Sequence, residues 1–323
     1  MKAILIIHTG GTISMLENKH TGEVTTTPKH PLTDLSDQFA DFAHIDEIIP
    51  FSVPSPQITP HHMLQVAKEI TQRTRDYDGF VVTHGTDTLE ETAYFLDMVL
   101  ETNKPVITTG AMRSANEIGS DALYNLISSL RTAASDQAYD QGVLVVMNDE
   151  IHTARNVTKT STSNVATFKS PQYGPIGIVT KGSIIFHHSI LSRQTWPINQ
   201  ITKNVYMLKA YAGMNEGLMD AVHQAKPDGL VIEGLGQGNL PKDMLASLER
   251  IIQGHIPVIL VSRCYQGIVQ PTYGYDGGGK QLKEMGVIFA NGLTGPKARL
   301  KLLITLETTT DAKKLKGIFE QTD

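Results

Sequence analysis

Short, unbroken apolar runs recur along this chain, and each runs into a turn rich in glycine, threonine or asparagine. In the first half they cover residues 3–7, 79–83, 105–109 and 142–147. Five or six residues is the length of a strand, and strands apolar at every position suit a parallel sheet buried on both faces. Between them lie amphipathic stretches. Over 63–73 the apolar residues Met63, Val66, Ala67 and Ile70 fall at helical spacing, and over 89–100 Leu89, Ala93, Leu96 and Leu100 line one face. Strand and helix in alternation predict a sheet with helices on both sides. A second set of strand-like runs (205–211, 229–233, 257–262, 287–291) alternates with helices expected over 214–225, 241–253 and 296–306. The stretch 192–203, with Trp196-Pro197, has no period and reads as a linker. The expected fold class is therefore α/β. A larger N-terminal domain (1–191) is built on a doubly wound, mostly parallel sheet, followed by a linker (192–204) and a smaller C-terminal α/β domain (205–323).

Composition narrows the function. With 28 basic and 33 acidic residues the formal charge is −5, aromatics are only 6%, and no basic run stands out; no nucleic-acid surface is expected. The single cysteine, Cys264, excludes an internal disulfide framework and a cysteine-built zinc site; it is expected at a strand end, buried rather than reactive. The N-terminal apolar run is too short for a signal-peptide core, and no stretch approaches the ~20 apolar residues of a membrane span, so a soluble cytoplasmic protein is expected. The pairs His61-His62 and His187-His188 put their side chains on diverging faces, with no third ligand spaced for a metal. Residues 274–280 fit the first seven positions of a phosphate-binding loop, but the eighth is Gln281 where Ser or Thr is needed; the segment reads as a flexible glycine loop. Residues 234–239 are likewise one residue off a dinucleotide fingerprint.

Open parallel sheets bind ligands beyond the carboxyl ends of their strands. The loops there read Thr9-Gly10-Gly11-Thr12 and His84-Gly85-Thr86-Asp87. Glycines let backbone N–H groups approach a ligand closely, and two such groups can hold a developing oxyanion. The threonines supply hydroxyls and Asp87 a charge. On spacing alone, turn chemistry explains these loops about as well as function does.

Together, Thr9-Gly10-Gly11-Thr12-Ile13 and His84-Gly85-Thr86-Asp87-Thr88 resemble the two active-site signatures of the bacterial-type L-asparaginase/glutaminase family. The same resemblance extends to Thr109-Gly110-Ala111-Met112-Arg113, to Arg155-Asn156-Val157-Thr158-Lys159-Thr160, to Gly236-Gln237-Gly238-Asn239-Leu240 and to Pro296-Lys297-Ala298-Arg299, in order over nearly the whole chain. It implies hydrolysis of free asparagine to aspartate and ammonia, with glutamine a slower substrate and no cofactor or metal. By the family's motif Thr12 attacks the amide carbon and forms an acyl-enzyme, while Thr86 and Lys159 form a second polar set. A threonine hydroxyl needs such help, and a lysine in a dry site can have its pKa lowered enough to stand neutral and accept a proton. The resemblance assigns Asp87 to the substrate's α-ammonium and to orienting Lys159, Ser55 to the α-carboxylate, Ala111 to substrate binding, and the N–H groups of Gly11 and Thr86 to the oxyanion. Asn239 would reach a neighbouring subunit's substrate, which implies a homodimer or a homotetramer of two dimers.

The sequence departs from the family in three places. A tyrosine is common in the loop after the first signature, yet none occurs before Tyr77; the loop offers His20, Glu23 and Thr25-Thr26-Thr27 instead. A Ser-Gln pair reads Ser55-Pro56-Gln57. For the acidic group donated to a neighbouring site, Asp276 is the nearest candidate. Two other readings stand beside the hydrolase: a non-catalytic relative that senses asparagine or aspartate, motivated by the absent tyrosine, and a nucleotide-dependent enzyme, resting on the glycine loop alone.

Overall fold

In a computed structural model, which describes residues 1–18, 21, 23–26, 43–190 and 193–320, the chain divides into two units, Met1–Pro197 and Ile198 onward. The first unit runs β1 (Lys2–His8), β2 (Met15–Glu17), β3 (Val24–Thr26), β4 (Ala43–Ile48), α1 (Pro60–Arg73), β5 (Gly79–Thr83), α2 (Leu89–Val99), β6 (Val106–Thr109), α3 (Ala122–Ala133), β7 (Val143–Met147), β8 (Glu150–Thr153), β9 (Thr158–Lys159), β10 (Phe168–Lys169), β11 (Gly177–Val179) and β12 (Ile184–Phe186). Eight strands form one sheet in the order β12-β11-β8-β7-β6-β5-β1-β4. From β4 to β7 every pairing is parallel. The last three strands are added antiparallel. The reversal after β7 is a two-residue hairpin at Asn148-Asp149, both with positive φ (50° and 63°), as the twist of a tight hairpin requires.

Ile4, Leu5, Ile6 and Ile7 have no exposed surface at all. Such burial needs a layer on each face, and each side chain contributes about 2 kcal/mol. Ile4, Ile6, Val81 and Leu144 pack with Leu126 and Leu130 of α3; the alternate residues face the other way, where α2 lies against β6 and β7 and α1 against α2. The parallel strands have the order β4-β1-β5-β6-β7, so the chain leaves β1 on one side and returns through α1 to the other. That makes β1/β5 the topological switch point, where the loops diverge and a crevice opens. The edge strand β4 carries His44, Asp46 and Glu47 and so reads as no apolar run; charge on an edge discourages pairing with other chains.

The second unit holds β13 (Val205–Lys209), α4 (Glu216–Ala225), β14 (Gly229–Gly234), α5 (Leu245–Gln253), β15 (Val258–Ser262), α6 (Gly279–Glu284), β16 (Ile288–Phe289), α7 (Gly295–Thr308) and α8 (Ala312–Glu320). Its four strands are parallel in chain order. Met219 and Val222 of α4, Leu248 and Ile251 of α5 and Leu282 of α6 share one core, while α7 packs on β13, β14 and β15.

Several boundaries differ from expectation for local reasons. The helix expected from 214 starts at Glu216, because Asn215 Oδ1 accepts the Gly217 N–H at 3.2 Å and caps it. The helix expected over 241–253 is a 3-10 turn (Lys242–Met244) followed by α5. Cys264 is exposed, not buried, because β15 ends at Ser262 and the cysteine stands in the turn beyond it. Of the glycines of 274–280, Gly274 stands exposed in open space, but Gly277, Gly278 and Gly279 are buried, and a Cβ on Gly277 would lie 2.1 Å from Leu240 O. They serve close backbone packing. Among the described residues, no helix is long and apolar enough to cross a membrane.

Candidate active site

The switch point is built from backbone. Gly11 has φ +86°, and a Cβ there would lie 2.2 Å from Gly85 Cα; one on Gly85 would lie 2.7 Å from Ser55 Oγ. The loops after β1, before α1 and after β5 therefore meet with no side chain between their glycines. Thr9 fastens them further: its N–H and its Oγ1 both donate to Thr83 O (3.1 and 2.8 Å), and its O accepts the Val53 N–H at 3.1 Å. Ser14 N–H donates to Gly11 O at 2.8 Å and closes the turn that presents the half-buried Thr12. Among the described residues, no backbone carbonyl takes the N–H of Gly11 or Thr86.

On the β5 loop, Lys159 Nζ donates to Thr86 Oγ1 at 2.9 Å and to Asp87 Oδ1 at 2.8 Å. The Lys159 side chain is 16% exposed and that of Asp87 58%. A pair half in water adds little stability; what it fixes is the place of the amine beside a hydroxyl. Lys159 comes from β9, which pairs with β10 as a two-residue ladder. Glu90, in the first turn of α2, holds that ladder from beneath: its Oε1 accepts the Thr158 hydroxyl at 3.0 Å and the Lys159 N–H at 3.1 Å. From the other end, Lys169 of β10 lies 2.8 Å from Glu150 Oε2, and His152 Nε2 lies 3.3 Å from the same oxygen. His152 first, and Lys169 after it, hold the Glu150 carboxyl down at about 2.

His84 opens the second signature and is buried. Its Nδ1 is 2.7 Å from Gly85 O and its Nε2 is 2.8 Å from Thr92 Oγ1. A carbonyl can only accept, so Nδ1 carries the proton and Nε2 accepts from threonine. Burial lowers the imidazole pKa from 6.5 to about 4, with the Gly85 carbonyl opposing, and the neutral ring anchors that carbonyl. Ala111 is fully buried in the loop after β6. That loop is held by Asp121, whose carboxylate accepts the N–H groups of Met112 and Arg113 at 3.0–3.1 Å.

Of the residues expected from sequence, the first unit brings Thr86, Asp87 and Lys159 into direct contact and joins Ser55 to them: Ser55 Oγ accepts the Asp87 N–H at 3.2 Å, and its carbonyl accepts the Thr88 hydroxyl at 2.8 Å. Gly11 meets the loop that carries this set at Gly85, and Thr12 follows it in the chain. Asn239 lies in the second unit, where its Oδ1 accepts the Gly279 N–H at 3.2 Å at the start of α6. Asp276 is exposed nearby in sequence. His20 and Thr27 lie outside the described residues; Glu23 and Thr25 are exposed on the β2–β3 hairpin. The turn end of that ladder is tied to Asn116, which accepts the Glu17 N–H (2.8 Å) and donates to Glu17 O (2.9 Å). Sequence reading had named neither Glu90 nor Asn116. Among the described residues, no three His, Cys, Asp or Glu side chains are grouped to hold a metal.

Two family models match the chain in order: Asparaginase, N-terminal, over residues 3–192, and the Glutaminase/Asparaginase C-terminal domain over 204–319. A probable L-asparaginase of Deinococcus radiodurans is 38% identical, the match covering 98% of this chain and 97% of that one. L-asparaginase 2 of Escherichia coli K12 is 34% identical (98% and 92%), and a glutaminase-asparaginase of Pseudomonas aeruginosa 30% (98% and 89%). Domain order, fold and the hydroxyl–ammonium–carboxylate cluster thus define a two-domain α/β amidohydrolase. Within that class, the chain belongs to the asparaginase family.

Proposed function

We propose that the protein hydrolyses L-asparagine to L-aspartate and ammonia through an ester formed on Thr12. The observation that carries this reading is the Thr86–Lys159–Asp87 contact set, placed against the Thr12 loop by the Gly11–Gly85 junction. The Asp87 carboxylate takes the substrate's α-ammonium, and Ser55, whose hydroxyl hydrogen is not used in accepting the Asp87 N–H, takes its α-carboxylate. Thr12 Oγ1 attacks the side-chain amide carbon, and the oxyanion forms between the N–H groups of Gly11 and Thr86. The Thr12 proton goes to the leaving nitrogen, which departs as ammonia. Lys159, neutral after releasing one proton to solvent, takes the proton of the water that attacks the ester, relayed by Thr86 Oγ1. That proton returns by the same path to Thr12 Oγ1 as the ester C–O bond breaks, so Thr12 is regenerated and aspartate leaves.

Glutamine is a slower substrate on this reading, since one methylene changes binding by only ~1–3 kcal/mol. Asn239 completes the site of a neighbouring chain, so the working form is a dimer or a tetramer of two dimers, with the expected domains 1–191 and 205–323 contributed by different chains. A single cysteine, free and exposed, fits a reducing compartment, and we place the protein in the cytoplasm. The test is ammonia release from a panel of amides. Asparagine should be the best substrate, Thr12→Ala should abolish turnover, and Lys159→Met should cut kcat at unchanged Tm. Asparagine that raised Tm with no ammonia released would overturn the hydrolase reading in favour of a sensor; near-normal activity of Lys159→Met would remove the lysine from the proton path.

A further inference from the structure

The second unit has a cavity of about 1040 Å³ at the end of its sheet where the strands begin. Pro227-Asp228 before β14, Pro257 before β15 and Val287 before β16 all line it, so it lies at the opposite end of these strands from Asn239. Its floor is apolar, with Ile252, Ile256, Ile288 and Leu306 among the lining residues. Its walls carry five lysines: Lys203, Lys226, Lys283, Lys313 and Lys316. Asp228 pairs with Lys203 at 3.2 Å and Glu320 pairs with Lys283. Among the described residues, no carboxylate lies in ion-pair range of Lys226, Lys313 or Lys316, and this in a chain of net charge −5.

Helix dipoles do not account for the arrangement. Lys226 at the end of α4 complements that helix's negative pole, but Lys313 and Lys316 sit in the first turns of α8, where the dipole disfavours cations. The backbone adds an independent sign. Lys226 (φ +48°) and His255 (φ +61°) follow α4 and α5 in the left-handed conformation that helix ends normally give to glycine. Both line this cavity, so two strained positions keep long, cation-capable side chains where glycine would be easier. His223, from α4, lines the same cavity with its Nδ1 buried and without a hydrogen-bond partner among the described residues.

We propose that this cavity is a binding site for a small multivalent phosphate, separate from the asparagine site, with Lys226, Lys313 and Lys316 contacting the charge and the apolar floor accepting any group attached to it. Inorganic tripolyphosphate supplies the charge alone; ATP without magnesium supplies the charge with a flat apolar group. Calorimetric titration of the full-length protein at low salt should show saturable binding of tripolyphosphate, one per chain, weakening steeply with added salt. ATP should bind more tightly if the floor takes its base, and tripolyphosphate equally or better if only the phosphates are held. Lys313→Gln with Lys316→Gln should weaken binding at least tenfold and leave asparagine turnover unchanged. Lys226→Gly gives the second, opposite readout: affinity falls while Tm stays or rises, because glycine relieves the left-handed strain. No saturable binding at millimolar tripolyphosphate, affinity unmoved by the lysine variants, or a Tm loss in Lys226→Gly with affinity intact would each overturn the proposal.

Discussion

Acidifying the solution should destabilise this protein through one imidazole. His84 is buried and keeps its ring neutral, its pKa lowered from 6.5 to about 4. Between those values the unfolded chain binds a proton at this position that the folded chain refuses. Its contribution to stability is therefore complete above pH 6.5 and is lost as the pH falls toward 4. At about 1.4 kcal/mol per unit, the full loss is about 3 kcal/mol, of which about 2 kcal/mol is gone by pH 5. The Glu150 carboxyl, held at about 2, is lost only below its ordinary pKa of 4.5 and so acts in a lower window. Urea unfolding at fixed protein concentration, from pH 8 to 4.5, should show this slope in the wild type. In His84→Gln, which keeps a donor and an acceptor, the curve should start lower at pH 8, by about 1–3 kcal/mol for the lost packing and hydrogen bonding, and run flatter below pH 6.5. Wild-type and variant curves that stay parallel over that range would refute the argument. In the folded protein the ring that holds Gly85 O stays neutral until the pH nears 4, so His84 should change stability across this range without changing turnover.

Glu90→Ala should lower kcat about 10- to 100-fold with little change in KM, because the Lys159 strand loses the oxygen that receives two of its hydrogen bonds; Glu90→Gln keeps an acceptor there and should recover most of the rate, as steady-state kinetics on the three proteins would show. Gly11→Ala should cost ~1–3 kcal/mol for its backbone alone (φ 86°, ψ 178°), a conformation open essentially to glycine only, and its Cβ would also overlap Gly85 Cα; a thermal melt with an ammonia assay should find a lower Tm and no turnover, and an active, stable Gly11→Ala would contradict the backbone junction described above.

What was legible in the sequence was whatever local pattern encodes. The buried central strands announced themselves as apolar runs, and the loops at their carboxyl ends, where an open parallel sheet binds its ligands, held the signature residues. The edge strand β4 was not legible, since His44, Asp46 and Glu47 break its pattern, and an edge needs no continuous apolar face. Helix α3 could have been found: Ala122, Leu126, Leu130 and Ala133 fall at helical spacing and are all buried. Glu90 is a different case. It stands 68 and 69 positions from the groups it binds, and no local pattern relates a helix's first turn to a two-residue strand that far along the chain. The glycines of 277–279 misled because a run of glycine reads as freedom, while here it is closeness that excludes any larger residue. Cys264 misled because two residues past a strand end suffice to pass from core to solvent.

The meeting of Gly11 and Gly85 also has a consequence for redesign. Two main chains in van der Waals contact leave nothing to trim and no room to add, so the spacing between the loops that carry Thr12 and Thr86 is not a variable that substitution can tune. Attempts to widen the range of amides accepted should therefore leave both turns untouched and vary side chains elsewhere.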